Sequence, residues 1–327
     1  MRKQTLASAV SLTALGLLMV FAGVPEAQAL AVGSFERTLQ VSGPVEMEVT
    51  TGSGDIEVHT GPANSVQISG RIKSNNWFSN QEEKIRKIEA HPPIEQSGNT
   101  IRIGHLSDPE LRHGISISYR VTVPVATRLT SHTGSGDLRL EGIHGPADLH
   151  SGSGNVTARN IGSEVQANTG SGDVQLENVK GGVHAEAGSG DVKASGIGGA
   201  FDGRSGSGNI RLEQTAPGDV HVETGSGNVE LRGVHGSLNA RTGSGDMEVD
   251  GVPTGEWRLH AGSGNITVRV PSEAAFDVDA ESNSGTISLN HPVTVQGRIE
   301  RRQVHGKVRG GGSLLEARTG SGDIEIN

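Results

Sequence analysis

A glycine-rich pentamer returns at a fixed interval along this chain. Thr51–Asp55 reads TGSGD, a string that occurs five times; with Asn for Asp, or Ala or Ser for Thr, it occurs ten times. The first glycine of successive copies falls at 134, 152, 170, 188, 206, 225, 243 and 262, in steps of 18 or 19 residues. Further copies begin at Gly52 and Gly320, and a worn one survives in Ser282-Asn283-Ser284-Gly285-Thr286. A constant period of this length marks a chain coiled into stacked rungs, each of which buries its apolar face only against its neighbours.

Aligning the copies by column shows which residues point inward. Four residues after the first glycine come Leu138, Val156, Val174, Val192, Ile210, Val229, Met247 and Ile266, and two further on come Leu140, Ala158, Leu176, Ala194, Leu212, Leu231, Val249 and Val268. Alternate positions are apolar, the spacing of a strand and not of a helix. A second strand carries Ala147, Val165, Val183, Phe201, Val220, Leu238, Trp257 and Phe276. The pattern predicts an all-β fold: a single right-handed parallel β-solenoid of about 18 residues per rung, its strands spaced ~4.8 Å apart. Small and branched inward residues suit so narrow a coil, and aromatics are only 2% of the chain.

The pentamer then falls between the second strand of one rung and the first strand of the next. Glycine reaches backbone angles closed to other residues, while Asp or Asn tolerates left-handed geometry and bonds its own backbone. The acidic position reads Asp137, Asn155, Asp173, Asp191, Asn209, Asn228, Asp246, Asn265; a charge-requiring site would not accept Asn in half of these, and a corner would. Gly52, Gly54, Asp55, Gly134, Gly136, Asp137, Gly152, Gly154, Asn155, Gly170, Gly172 and Asp173 are therefore read as structural turn residues. On the outer wall, Glu141, Arg159, Glu177, Ser195, Glu213, Arg232, Asp250 and Arg269 mostly alternate in sign, as neighbours in a parallel stack should.

Three stretches break the pattern. Arg2 and Lys3, an apolar run from Leu6 to Val24, and Ala27-Gln28-Ala29 read as a secretory signal, residues 1–29, cleaved after Ala29, with a retained N-terminal anchor as the alternative. Residues 30–327 then form one solenoid domain: irregular rungs over 30–130, regular 18-residue repeats over 131–290, and C-terminal rungs over 291–327. Between Gly52 and Gly134, Ser79-Asn80-Gln81-Glu82 has the form of a capping box ahead of a short helix that Pro92-Pro93 ends, an excursion that caps the N-terminal end of the coil. Arg298, Arg301, Arg302, Lys307 and Arg309 form the only distinctly basic stretch, read as a solvated outer strand. Ser313–Asn327 reads as the last rung, and end-to-end assembly would follow if Asp323–Ile326 left it unpaired.

The sequence argues against most chemistry. Removing Arg2, Lys3 and Glu26 from the 28 basic and 37 acidic residues leaves a net charge of -10, which disfavours nucleic acid as a partner. Calcium needs six to eight oxygens, several from carboxylates, and a Gly-rich acidic turn on one side of the coil with Asn in half of its copies falls short; no cofactor is expected. By column His132 stacks on His150, and His184, Asp202 and His221 follow one another, making the last three weak candidates for a metal site. They fall in mixed outward columns and read better as solvated surface. No Ser recurs with a His and an acid partner, so no catalytic residue is assigned. A glycan-binding or carbohydrate-active β-helix acting on cell-wall polysaccharide is the alternative, and would need exposed aromatics from among Trp77, Phe78, Tyr119 and Trp257.

Three stretches carry a resemblance: FERTLQVSGPVEMEVTTGSGDIEVHTG at Phe35–Gly61, the run of SGD and SGN rungs, and GGGSLLEARTGSGDIEI at Gly310–Ile326. Through them the chain resembles the bacterial putative-adhesin family of β-strand-repeat domains. The resemblance implies an exported β-solenoid of the cell envelope, placed in the periplasm, at the cell surface or outside the cell. It implies an adhesin-like binding or scaffold module rather than an enzyme, partnered by an envelope protein or a surface glycan. With the signal cleaved, no stable transmembrane segment is expected.

Overall fold

The computed structural model describes residues 32–74, 81–106, 108, 111, 113–295 and 302–327. The signal reading, with Ala27 and Ala29, lies outside the described residues. Two long sheets face each other, one of 14 strands and one of 15 among the described residues. Every regular rung contributes one strand to each. Val156–Ile161 lies parallel to Val174–Val179 in the first sheet, with Val156 opposite Val174 and Ala158 opposite Leu176. In the second, Ala147–Ser151 lies parallel to Val165–Thr169, with Ala147 opposite Val165. The inward columns are buried between the sheets as their alternation requires, and Trp257 and Phe276 are among the largest enclosed side chains.

The pentamer sits at the corner between second and first strands, and the structure gives its glycines and acids a different reason. A Cβ on the second glycine, as at Gly136 or Gly154, would overlap the carbonyl oxygen of the equivalent glycine one rung back. Close stacking, more than unusual backbone angle, demands glycine there. Nor does the Asp/Asn position adopt left-handed geometry; the non-glycine residues with positive φ among the described residues are Asn160, Asn178 and Arg309. Its side chain reaches the next rung instead of its own backbone. The backbone N–H of Asn155 donates to Asp137 Oδ1 at 2.9 Å, that of Asp173 to Asn155 Oδ1 at 2.9 Å, and that of Asp191 to Asp173 Oδ1 at 2.9 Å.

A second ladder runs inside. The hydroxyl of Ser151 donates to Gly136 O at 2.9 Å and accepts the N–H of Gly154 at 2.8 Å. Thr169, Ser205 and Thr224 repeat the pair of bonds on other rungs of the same column. Buried corner groups thereby find partners within the chain.

Both ends are closed. At the N-terminal end Val45–Thr51 and Ile56–Thr60 form the first rung, stacked directly on Thr127–Thr133 and Leu138–Glu141. The intervening excursion folds over the other side: Thr100–Ile103 and Ile115–Val123 extend the two sheets, and antiparallel Val32–Gln40 closes the first. An additional hairpin strand, Ile94–Ser97, closes the second sheet. The helix Gln81–Ala90 buries Ile85 and Ile88, and Glu89 Oε1 accepts the N–H of Ser34 at 2.8 Å.

At the C-terminal end the order departs from the sequence. Trp257 is not followed in its column by Phe276; it faces Leu315. The terminal repeat, Ser313–Ser321 and Ile324–Ile326, slides between the rung at 257–269 and the rung built from Phe276–Ser282 and Ile287–Leu289. Ile324–Ile326 is paired on both sides, so the condition for end-to-end assembly through this strand is not met. In the 14-stranded sheet the worn repeat is the edge, and there it ends the ladder: Thr286 donates both its N–H and its hydroxyl to Asp323 Oδ1, at 2.8 and 2.9 Å, and has no side-chain carbonyl to offer onward. The basic stretch contributes Gln303–Val308, antiparallel to Phe276–Ser282, with Lys307 3.3 Å from Asp277; Arg298 and Arg301 lie outside the described residues.

Candidate functional site

A groove of about 910 Å³ runs across the rungs on the 15-stranded sheet, where the chain enters each second strand. Its floor is one in-register column: Asp148, Gln166, His184, Asp202, His221, Asn239 and Arg258. These are the second residues of successive strands, turned outward because the first residues, such as Val183 and Phe201, are turned in. One wall comes from the residue before each strand: Glu164, Gly182, Ala200, Asp219, Ser237 and Glu256. The small pair Gly182 and Ala200 leaves the middle of that wall low.

The sequence-predicted set His184, Asp202 and His221 therefore does come together, one residue per rung, on the groove floor, with His184 and Asp202 still partly exposed. His184 Nδ1 lies 3.3 Å from Asp202 Oδ2, and that oxygen also accepts from Arg204 at 3.2 Å. Among the described residues no group of three or more His, Cys, Asp or Glu has the arrangement of a metal site. Near the groove's N-terminal end, His132 and His150 stack with ring centroids 4.8 Å apart and planes 15° from parallel. His150 Nε2 is 2.6 Å from Asp148.

The floor and wall combine fixed charge with unmatched acceptors. Asp202 Oδ1 and Asn239 Oδ1 are enclosed and take no hydrogen bond from the protein. On the wall, Asp219 Oδ1 accepts the hydroxyl of Ser237 at 2.6 Å and its N–H at 3.2 Å, bonds that hold the Asp219 carboxyl below the usual carboxylate range. Glu256 pairs with Arg258 at 2.7 Å. Such a surface could receive hydrogen-bond donors at the Asp202 and Asn239 rungs, with His221 between them.

The groove was not legible as such. Its residues were visible as a mixed polar column, but its depth comes from the corner beside them, and the small pair at Gly182 and Ala200 was the available signal. The turn residues Gly52, Gly54, Asp55, Gly134, Gly136, Asp137, Gly152, Gly154, Asn155, Gly170, Gly172 and Asp173 all lie at the corners, away from the groove. The alternating outer column forms a close ion pair at Arg159–Glu177, 3.1 Å. Arg232 turns to Glu230 on its own strand and Arg269 to Glu248, since a neighbouring column lies equally within reach. Of the four aromatics a glycan site could use, Tyr119 and Trp257 are buried at 2% and 0% exposure, and Trp77 and Phe78 lie outside the described residues.

With this geometry in view, comparison with known proteins places the fold in a class of stacked β-repeat domains. The Toastrack DUF4097 family model matches residues 24–201 and again 199–327, and the chain belongs to that family. This bears out the resemblance read from the SGD and SGN rungs. No curated protein matches the chain. Among solved structures it is similar to a putative cell adhesion protein from Clostridium sporogenes, at 12% identity over 90% of this chain and 99% of that one, TM-score 0.21. It is also similar to a putative adhesin from Bacteroides fragilis, at 10% identity over 90% and 97%, TM-score 0.33. A putative lipid binding protein from Parabacteroides distasonis matches at 14% identity over 90% and 96%, TM-score 0.37. Among the described residues no helix is long and apolar enough to cross a membrane.

Proposed function

We propose that this chain is a non-enzymatic, adhesin-like binding module of the cell envelope, a right-handed coil of about 18 residues per rung that recognises its ligand along the groove of the 15-stranded sheet. The observation that carries the reading is the groove itself: one polar residue per rung, in register from Asp148 to Arg258, beside a wall left low at Gly182 and Ala200. Export rests on reading residues 1–29 as a secretory signal, which suits a cysteine-free chain in an oxidising compartment. The ligand is an envelope protein or a surface glycan presented as an extended chain.

The test is saturable binding of the protein to isolated envelope fractions and to a glycan panel, repeated with Ala200→Arg. Ala200 is exposed on the groove wall, so a long side chain here projects into the groove. Loss of binding in Ala200→Arg, with binding kept in Arg139→Ala on the other sheet, supports the reading. Binding indifferent to Ala200→Arg would overturn it, as would no saturable binding to either material.

A further inference from the structure

We infer that the C-terminal repeat is an exchangeable rung: the slot it occupies accepts the same repeat from a second copy of this chain, giving a strand-exchanged pair. The slot is built out of sequence order. Its inner wall is the rung at 257–269, and its outer wall is the rung at 276–289, so the chain lays down both walls before supplying what goes between them. The outer wall has its own support, since Phe276–Ser282 pairs on its far side with Gln303–Val308.

What holds the repeat in place is chemistry that every rung shares, and none of it depends on which copy supplies the segment. Leu315, Ala317, Ile324 and Ile326 are fully buried between the walls. Thr319 Oγ1 donates to Gly264 O at 2.8 Å, and Asp323 links Asn265, 2.9 Å on one side, to Thr286, 2.8 Å on the other. The tether that delivers the segment is a tight left-handed turn: Arg309, Gly310 and Gly311 have φ of 48°, 91° and 90°, and nothing stands within 4 Å of where a Gly310 side chain would begin. Two bonds hold the turn to the outer wall, Arg309 Nε to Ser272 O at 2.7 Å and the N–H of Gly312 to Asp277 Oδ1 at 3.2 Å. Exchanging an identical element regains every contact within the slot, and only the bonds of the connecting turn are at stake. Tethering sets the balance: an effective concentration on the order of millimolar favours the chain's own repeat when protein is dilute, and a second copy competes as protein approaches that level.

The chain has no cysteine, which makes the exchange readable by disulfide trapping. His260 and Arg318 face each other directly on adjacent parallel strands, and both are exposed. Cysteines at such a pair fall within bridging distance. The double variant His260→Cys/Arg318→Cys is expected to close a bond within one chain. Full-length His260→Cys and Arg318→Cys chains, co-refolded and oxidised, are expected to give a disulfide-linked heterodimer whose share rises with protein concentration. The control mixture of Arg139→Cys with Arg318→Cys is expected to give none. Equal cross-linking in the control, or no heterodimer at any concentration while the double variant closes, would overturn the proposal. Failure of the double variant to close would overturn it too, by removing the register on which it stands.

Discussion

The backbone N–H of Asp246 donates to Asn228 Oδ1 at 2.9 Å, and one rung later the N–H of Asn265 donates to Asp246 Oδ1 at 2.8 Å. The ladder uses one oxygen per side chain and is indifferent to whether the other terminal atom is oxygen or nitrogen. That is why Asp and Asn alternate freely along the corner, and why a charge-based reading of the motif fails. Nine such bonds run from Asp55 to Asp323, and Thr286 ends the series.

Asp173→Asn is accordingly expected to change stability by less than about 0.5 kcal/mol, since Oδ1 still accepts the N–H of Asp191. Asp173→Ala removes that acceptor and is expected to cost about 0.5–1.5 kcal/mol, toward the lower end at this exposed position. Urea unfolding of the two variants separates the outcomes; equal losses would mean that charge, and not the ladder, holds the corner.

Glycines at one motif position differ in what surrounds them. A Cβ on Gly134 would overlap Gly52 O, whereas a Cβ on Gly52 would meet nothing within 4 Å. Gly134→Ala is expected to destabilise by about 1–3 kcal/mol through forced overpacking, and Gly52→Ala to be nearly neutral. Thermal unfolding of the pair checks this, and matching losses would show that backbone conformation sets the requirement.

Much of this architecture was legible because a stacked fold writes its contacts as columns. Val156 opposite Val174 and Thr169 beneath the corner follow from the period and the alternation alone. The place of the last repeat did not follow. Ser313–Asn327 carries an intact TGSGD that would pair equally well with any rung, so sequence order was the only guide and it misled. The informative residue is Thr286, whose lack of a side-chain carbonyl marks the end of the ladder at the edge of the 14-stranded sheet. The groove escaped for another reason: a column shows which residues neighbour one another, not how far the adjoining corner rises above them.

The inner hydroxyl ladder has a gap at Ala187, between Thr169 and Ser205 in its column. A serine there would reach Gly172 O and the N–H of Gly190, as Ser205 reaches Gly190 O and the N–H of Gly208 at 2.9 and 2.8 Å. Ala187→Ser is expected to stabilise by about 0.5–1.5 kcal/mol and to slow hydrogen exchange at Gly190. Destabilisation would mean that the methyl group fills space a hydroxyl cannot use.

Acid should loosen the N-terminal rungs through Glu57. Its Oε1 lies 2.8 Å from His59 Nε2, and Oε2 accepts from Arg120 at 2.9 Å. The bond to His59 is the larger cause, with Arg120 adding to it and burial opposing, and together they hold the Glu57 carboxyl below the usual glutamate range. A carboxyl whose pKa is lower folded than unfolded binds fewer protons in the native state. Its contribution is therefore full above the unfolded value near 4.3 and fades as pH falls through the folded value. Glu57→Gln is expected to be less stable than the parent at pH 7, by up to about 1 kcal/mol for a pair this exposed. The two unfolding midpoints should converge as pH falls through the lowered folded value, where the parent's own glutamate becomes protonated. A stability gap that held constant from pH 7 down to pH 3 would show that Glu57 acts by packing and not by charge.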